Sequence, residues 1–227
     1  MDHRFYIKSK KEQTKIQLQI VLLALLIIII ALCFSWFTGI YFIATLISVI
    51  VLTILAPFID TPKLKKSGKL IYYSSLFITE RPKNGIIRIH GGTLFDYVFV
   101  LKHHMNGKQR TNFILQKQIE GVLALIETYE NTNSDTNLKI IGTSYIINER
   151  TARRIGFKIS ETEILQKMIL IFNYFNILLT NSIAKKKLSF PNLSKTKTFE
   201  TDLKQLINNK TTLTNLNNAL IRNLKHS

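Results

Sequence analysis

The chain begins polar and basic, then runs from Ile16 to Ile59 without a charged side chain. One membrane-crossing helix needs roughly 20 apolar residues, so this span has room for two. It breaks at "SWFTGIYF", where Ser35, Thr38 and Gly39 favour a turn. Trp36 and Tyr41 in the same stretch are the amphipathic aromatics of a membrane–water boundary. The pattern predicts helices over about 17–36 and 40–58, with Pro57 and Pro62 ending the second. Neither helix carries the polar stripe of a soluble core helix. The first is too long and lacks the small-residue cleavage pattern of a signal peptide, and a second span follows at once.

Beyond Asp60 the pattern shortens. "KLIYYSSLFIT", Lys69–Thr79, is aromatic and β-branched and predicts one strand. Asn84-Gly85 between apolar runs signals a hairpin turn, with "IIRIH" as the return strand and "TLFDYVFVLKH" as a third. Asn106-Gly107 marks a further turn. From about Asn112 to Glu130 the period becomes helical, with Leu115, Ile119, Val122, Ile126 and Tyr129 on one face. "NTNSDTN" reads as a loop, "LKIIGTSYIIN" as a strand, and "ERTARRIGF" as a short basic helix ending at Gly156. Ser160 and Glu163 match a capping box opening a helix that reaches Lys185–Lys187. Its middle, Met168–Leu179, is apolar nearly all round. Lys167 and the basic segment that follows argue against a third span, so 161–184 is expected as the buried central helix of the domain, with a helix lying on the membrane as the alternative. "SFPNLSKTKT" reads as a linker, and Phe199–Lys225 as a polar helix with leucines from Leu203 to Leu220. The expected fold is α+β: an N-terminal two-helix transmembrane hairpin, then a cytoplasmic domain with an antiparallel meander and packed helices. The divisions are a basic cytoplasmic tail (1–16), the hairpin (17–58), the domain (63–187) and a polar helical C-terminal arm (188–227).

Charge adds orientation. The chain has 31 Lys and Arg against 14 Asp and Glu, a formal charge of +17. Arg4, Lys8, Lys10, Lys11 and Lys15 precede the first span, and Lys63, Lys65, Lys66 and Lys69 follow the second, while the loop between them has none. The positive-inside rule makes this a multi-pass inner-membrane protein with both termini cytoplasmic. The basic flanks suit a bilayer containing anionic lipids. The same excess suits nucleotides or nucleic acid as partners, and an anchored domain suits a protein partner or a second copy of itself. Cys33 is the only cysteine, which excludes an internal disulfide and a cysteine zinc site.

Few residues carry chemistry. His90-Gly91-Gly92 after an apolar strand is similar to the oxyanion-hole approach of α/β-hydrolases, and Gly142-Thr143-Ser144 to a nucleophile elbow. The elbow's second glycine is replaced by Ile146, and the only later histidine is His226, so Gly91-Gly92 reads instead as a turn between two strands. Asn148, Ala152, Gly156 and Phe157 resemble the end of GNAT-type acetyltransferases. The spacing is short and that family's glycine-rich pyrophosphate loop is missing, so no residue roles follow. His103 and His104 would face opposite sides of a strand, a poor metal pair. Arg150, Arg153 and Arg154 share one face of a short helix and could grip phosphate or carboxylate, with Tyr145 nearby. The residues therefore favour a non-catalytic membrane protein whose basic domain binds a protein partner or an anionic ligand, without metal or cofactor. The alternatives are a membrane-anchored hydrolase- or transferase-like enzyme built on His90, Asp96 and Ser144, and a membrane-bound nucleotide sensor.

Overall fold

A computed structural model describes residues 2–131, 138–144 and 149–225. Helix α1 spans Lys10–Thr38 and α2 spans Tyr41–Lys66. Both are long and apolar enough to cross a membrane. A Ser9–Glu12 capping box starts α1 well before the apolar run, and Gly39, at φ +74°, ends it in the left-handed conformation. Small residues, Ala24, Ala31, Ser35 and Ala44, are buried along the hairpin, and the Ser35 hydroxyl accepts from the Ala44 amide. The leucines and isoleucines around them face outward.

Contrary to the sequence reading, Pro57 and Pro62 lie inside α2. A helical proline leaves the carbonyl four residues earlier without its amide partner. Those carbonyls belong to Thr53 and Phe58, and each is taken by a side-chain amide. Asn176 Nδ2 donates to the Thr53 carbonyl at 2.9 Å, and Gln17 Nε2 donates to that of Phe58 at 3.0 Å. The helix continues because its freed acceptors are satisfied from outside.

The rest of the chain builds a six-stranded sheet in the order β1-β2-β3-β4-β6-β5. Strands β1 (Leu70–Ser74), β2 (Phe77–Glu80) and β3 (Ile86–Gly91) form an antiparallel meander. The expected single strand over 69–79 is thus two, folded at Ser75-Leu76. The Asn84-Gly85 turn has positive φ at both residues, 52° and 72°, as its hairpin requires. The expected third strand is helix α3 (Leu94–Val100), so Gly91-Gly92 joins a strand to a helix. A Thr93–Asp96 capping box overrides the β-prone composition.

Helix α4 (Gly107–Asn131) crosses over to β4 (Lys139–Ser144), which pairs parallel to β3. A Cβ on Gly121 would lie 2.3 Å from Phe77 Cβ, so that glycine sets the close approach of α4 to the sheet. Then come α5 (Glu149–Arg154), β5 (Lys158–Glu161), α6 (Ile164–Phe172) and α7 (Tyr174–Lys185). Ser160 and Glu161 belong to β5, and Glu163 precedes α6 without a side-chain cap, so the expected capping box is not formed. The expected buried helix over 161–184 is also corrected. It breaks at Asn173, and no α6 residue is buried. The segment read as linker and helical arm supplies β6 (Lys197–Asp202), hydrogen-bonded between β4 and β5, before α8 (Leu203–Asn208) and α9 (Lys210–Lys225). Phe77, Ile87, Ile119, Val122, Ile126, Ile140, Phe199, Leu206 and Leu213 form the main core.

The residues before α1 are strapped to the body rather than free. His3 and Phe5 are buried, and Arg4, expected as a flanking charge, donates to the carbonyls of Val98, Phe99 and Leu101 at the end of α3.

Candidate functional site: a cavity where two parallel strands part

Strands β3 and β4 pair from Ile86 opposite Lys139 to Ile89 opposite Gly142. Beyond that point β3 continues on β2 as far as Gly91, and β4 continues on β6 as far as Ser144, but among the described residues the two no longer pair with each other. The split begins at Gly142, where a Cβ would lie 2.6 Å from the Ile89 side chain. Among the described residues no β3–β4 ladder pair follows Ile89 and Gly142, so the gap lies at the carboxyl ends of two parallel strands. That is the position where open α/β sheets bind ligands.

The gap opens into a cavity of about 510 Å³. Phe77, Ile89, Leu115, Ile119, Phe157 and Phe199 form much of its floor, and α6 and α7 contribute Ile169, Leu170 and Ile177. Pro57 of α2 and Leu94 of α3 also border it, so the cavity reaches the hairpin. Its polar groups are neutral amides and hydroxyls, among them Gln118, Thr151, Gln166, Asn173 and Asn176, with His90 at the rim. No Lys, Arg, Asp or Glu among the described residues lines it.

The residues singled out from sequence separate here. His90 and Ser144 both border the cavity. However, Ile89 faces Gly142 in the register, so alternation puts Ser144 on the α4 face of the sheet and His90 on the other. The His90 ring is instead bonded across the meander to Glu80, Nε2 to Oε1 at 2.9 Å. That bond holds the Glu80 carboxyl below its usual range. Asp96 lies elsewhere, fully buried. It accepts from the Thr93 amide and hydroxyl (2.7 and 2.8 Å) and from the Tyr72 hydroxyl (2.7 Å), and His3 Nε2 lies 3.2 Å away. Burial, with the Asp96 charge adding to it, pushes the Tyr72 phenol far up, and burial raises Tyr6 beside it. This knot ties the N-terminal residues, β1 and α3 together; it meets the cavity at Thr93, while Asp96, Tyr72 and His3 are not lining residues.

Arg150, Arg153 and Arg154 are exposed on α5, and none lines the cavity; Arg153 lies 4.0 Å from Glu149. Thr151 and Ala152 of α5, with Ile155 just after it, line the cavity. His103 and His104 are exposed between α3 and α4. Tyr145, Ile146, Asn148 and His226 fall outside the described residues. The sequence reading missed Gln118, Asn173 and Asn176. The available signal was a pair of asparagines inside the apolar run 168–179, where a polar side chain needs a partner. Compared with models of protein families, with curated proteins and with solved structures, the chain matches none.

Proposed function

We propose that this is a membrane-anchored ligand-binding protein. The α1–α2 hairpin crosses the inner membrane with both flanks in the cytoplasm, and the sheet body takes a neutral, amphipathic small molecule in the cavity between β3 and β4. The basic residues on both flanks of the hairpin, and their absence from its loop, support the orientation. One observation carries the binding reading: a parallel pair parts into an apolar cavity of about 510 Å³ with neutral polar groups on its wall. That volume is in the range of small-molecule sites, about 300–1,000 Å³. The lack of charged side chains among the described lining residues favours a hydroxyl- or amide-bearing ligand with a long apolar portion over an anion. With His90 and Ser144 on opposite faces, no catalytic step is assigned.

A fluorescent monoacylglycerol titrated into the full-length protein in detergent tests this. Saturable binding is expected. Leu115→Trp and Ile177→Trp, which fill the cavity from α4 and α7, should weaken it by roughly tenfold or more. Replacing Arg150, Arg153 and Arg154 together by Ala should leave it unchanged. Unaltered affinity in both Trp variants, with their melting temperatures intact, would contradict the reading.

A further inference from the structure

Helix α6 is apolar on two sides. Gln166, Ile169, Leu170 and Asn173 line the cavity. Ile164, Met168 and Ile171, flanked by Leu165 and Phe172, follow the four- and three-residue steps of the opposite face and point out of the molecule. Ile164 is 78% exposed and Phe172 74%. A continuous apolar face of this kind on a folded body marks an interaction surface.

What covers it follows from the next helix. Only Asn173 separates α6 from α7. One turn into that region, Asn176 donates to the Thr53 carbonyl of α2. Thr53 lies inside the uncharged run, seven residues before Asp60, the first charge after it, or about 10 Å along the helix. The α6–α7 junction is therefore tied to α2 at a level within its apolar span. Leu179 and Ile183 of α7 then pack in the cluster with Phe58, and Ile54 joins them there.

We infer that the outer face of α6 lies in the cytoplasmic leaflet, at the boundary between head groups and acyl chains. The cavity and the bilayer then share α6 as their common wall. In-plane helices of this kind bury their apolar face some 5–10 Å into the interface, and Lys167, exposed beside this face, can extend its amine toward the head groups. The inference rests on the hairpin crossing the membrane, as proposed above.

The test uses the full chain with Cys33→Ala, reconstituted in vesicles of phosphatidylcholine with a minority of phosphatidylglycerol. An environment-sensitive fluorophore is placed singly at Met168→Cys, Phe172→Cys, Leu26→Cys or Ser160→Cys. Quenching by lipids brominated on their acyl chains is compared with quenching by aqueous iodide. The expected result is that Met168→Cys and Phe172→Cys behave like Leu26→Cys in α1, quenched by brominated lipid and shielded from iodide, while Ser160→Cys on β5 shows the reverse. Iodide quenching at Met168→Cys and Phe172→Cys overturns the inference. So does shielding from both quenchers that disappears on dilution, which would mean a second copy covers the face. Leu26→Cys reads out separately. If it too is reached by iodide and not by lipid, the hairpin reading has failed rather than the placement of α6 alone.

Discussion

Asp96 shows how a residue chosen for chemistry can turn out to hold the structure. Its carboxylate is fully buried, yet every bond it makes is to the protein's own Thr93, Tyr72 and His3. Removing one partner of a buried polar knot leaves the others unsatisfied. Asp96→Ala should therefore cost about 3 kcal/mol or more, measured as a lowered midpoint of denaturant unfolding in detergent. A midpoint close to that of the parent protein would show that the knot contributes little. The Thr-x-x-Asp capping signature of α3 was present in the sequence, but His3 lies 93 residues from Asp96, and no local pattern announces that contact.

At the scale of elements, period and turn chemistry were legible wherever they agreed with composition. The apolar face of α4 and the Asn84-Gly85 hairpin stand as read. Of the elements that were misread, α3, β6 and α2 show the physical reasons. Helix α3 is built from aromatic and β-branched residues and is fixed by its cap and by burial. Strand β6 is polar, and it is a strand because it lies between two others. Helix α2 continues through its prolines because side chains from α1 and α7 replace the lost donors. That replacement can be measured as a coupling. Asn176→Leu should destabilise the parent by about 1 kcal/mol. The loss should shrink in a Pro57→Ala background, where the restored amide of residue 57 can serve the Thr53 carbonyl. Equal losses in both backgrounds would show that Asn176 acts through packing alone.

For the whole molecule, the hydrophobic pattern marked the hairpin and the flanking lysines suggested its orientation, because both are local properties of the chain. The cavity was not legible. It arises where β3 and β4 stop pairing, and that pairing joins segments separated by the whole of α3 and α4. The charge of +17, which pointed toward an anionic ligand, is absent from the cavity lining among the described residues. The proposed orientation would put it at the membrane surface, where basic residues meet anionic head groups. The central claim is that α1 and α2 cross the bilayer and leave the sheet body on the cytoplasmic side. The most direct measurement is labelling of single cysteines in intact cells by a membrane-impermeant maleimide, in the Cys33→Ala protein. Thr38→Cys, the last residue of α1 beside the turn to α2, should react in intact cells, and Ser160→Cys, on β5, only after the membrane is permeabilised. Labelling of Ser160→Cys in intact cells, at the rate seen for Thr38→Cys, would contradict it.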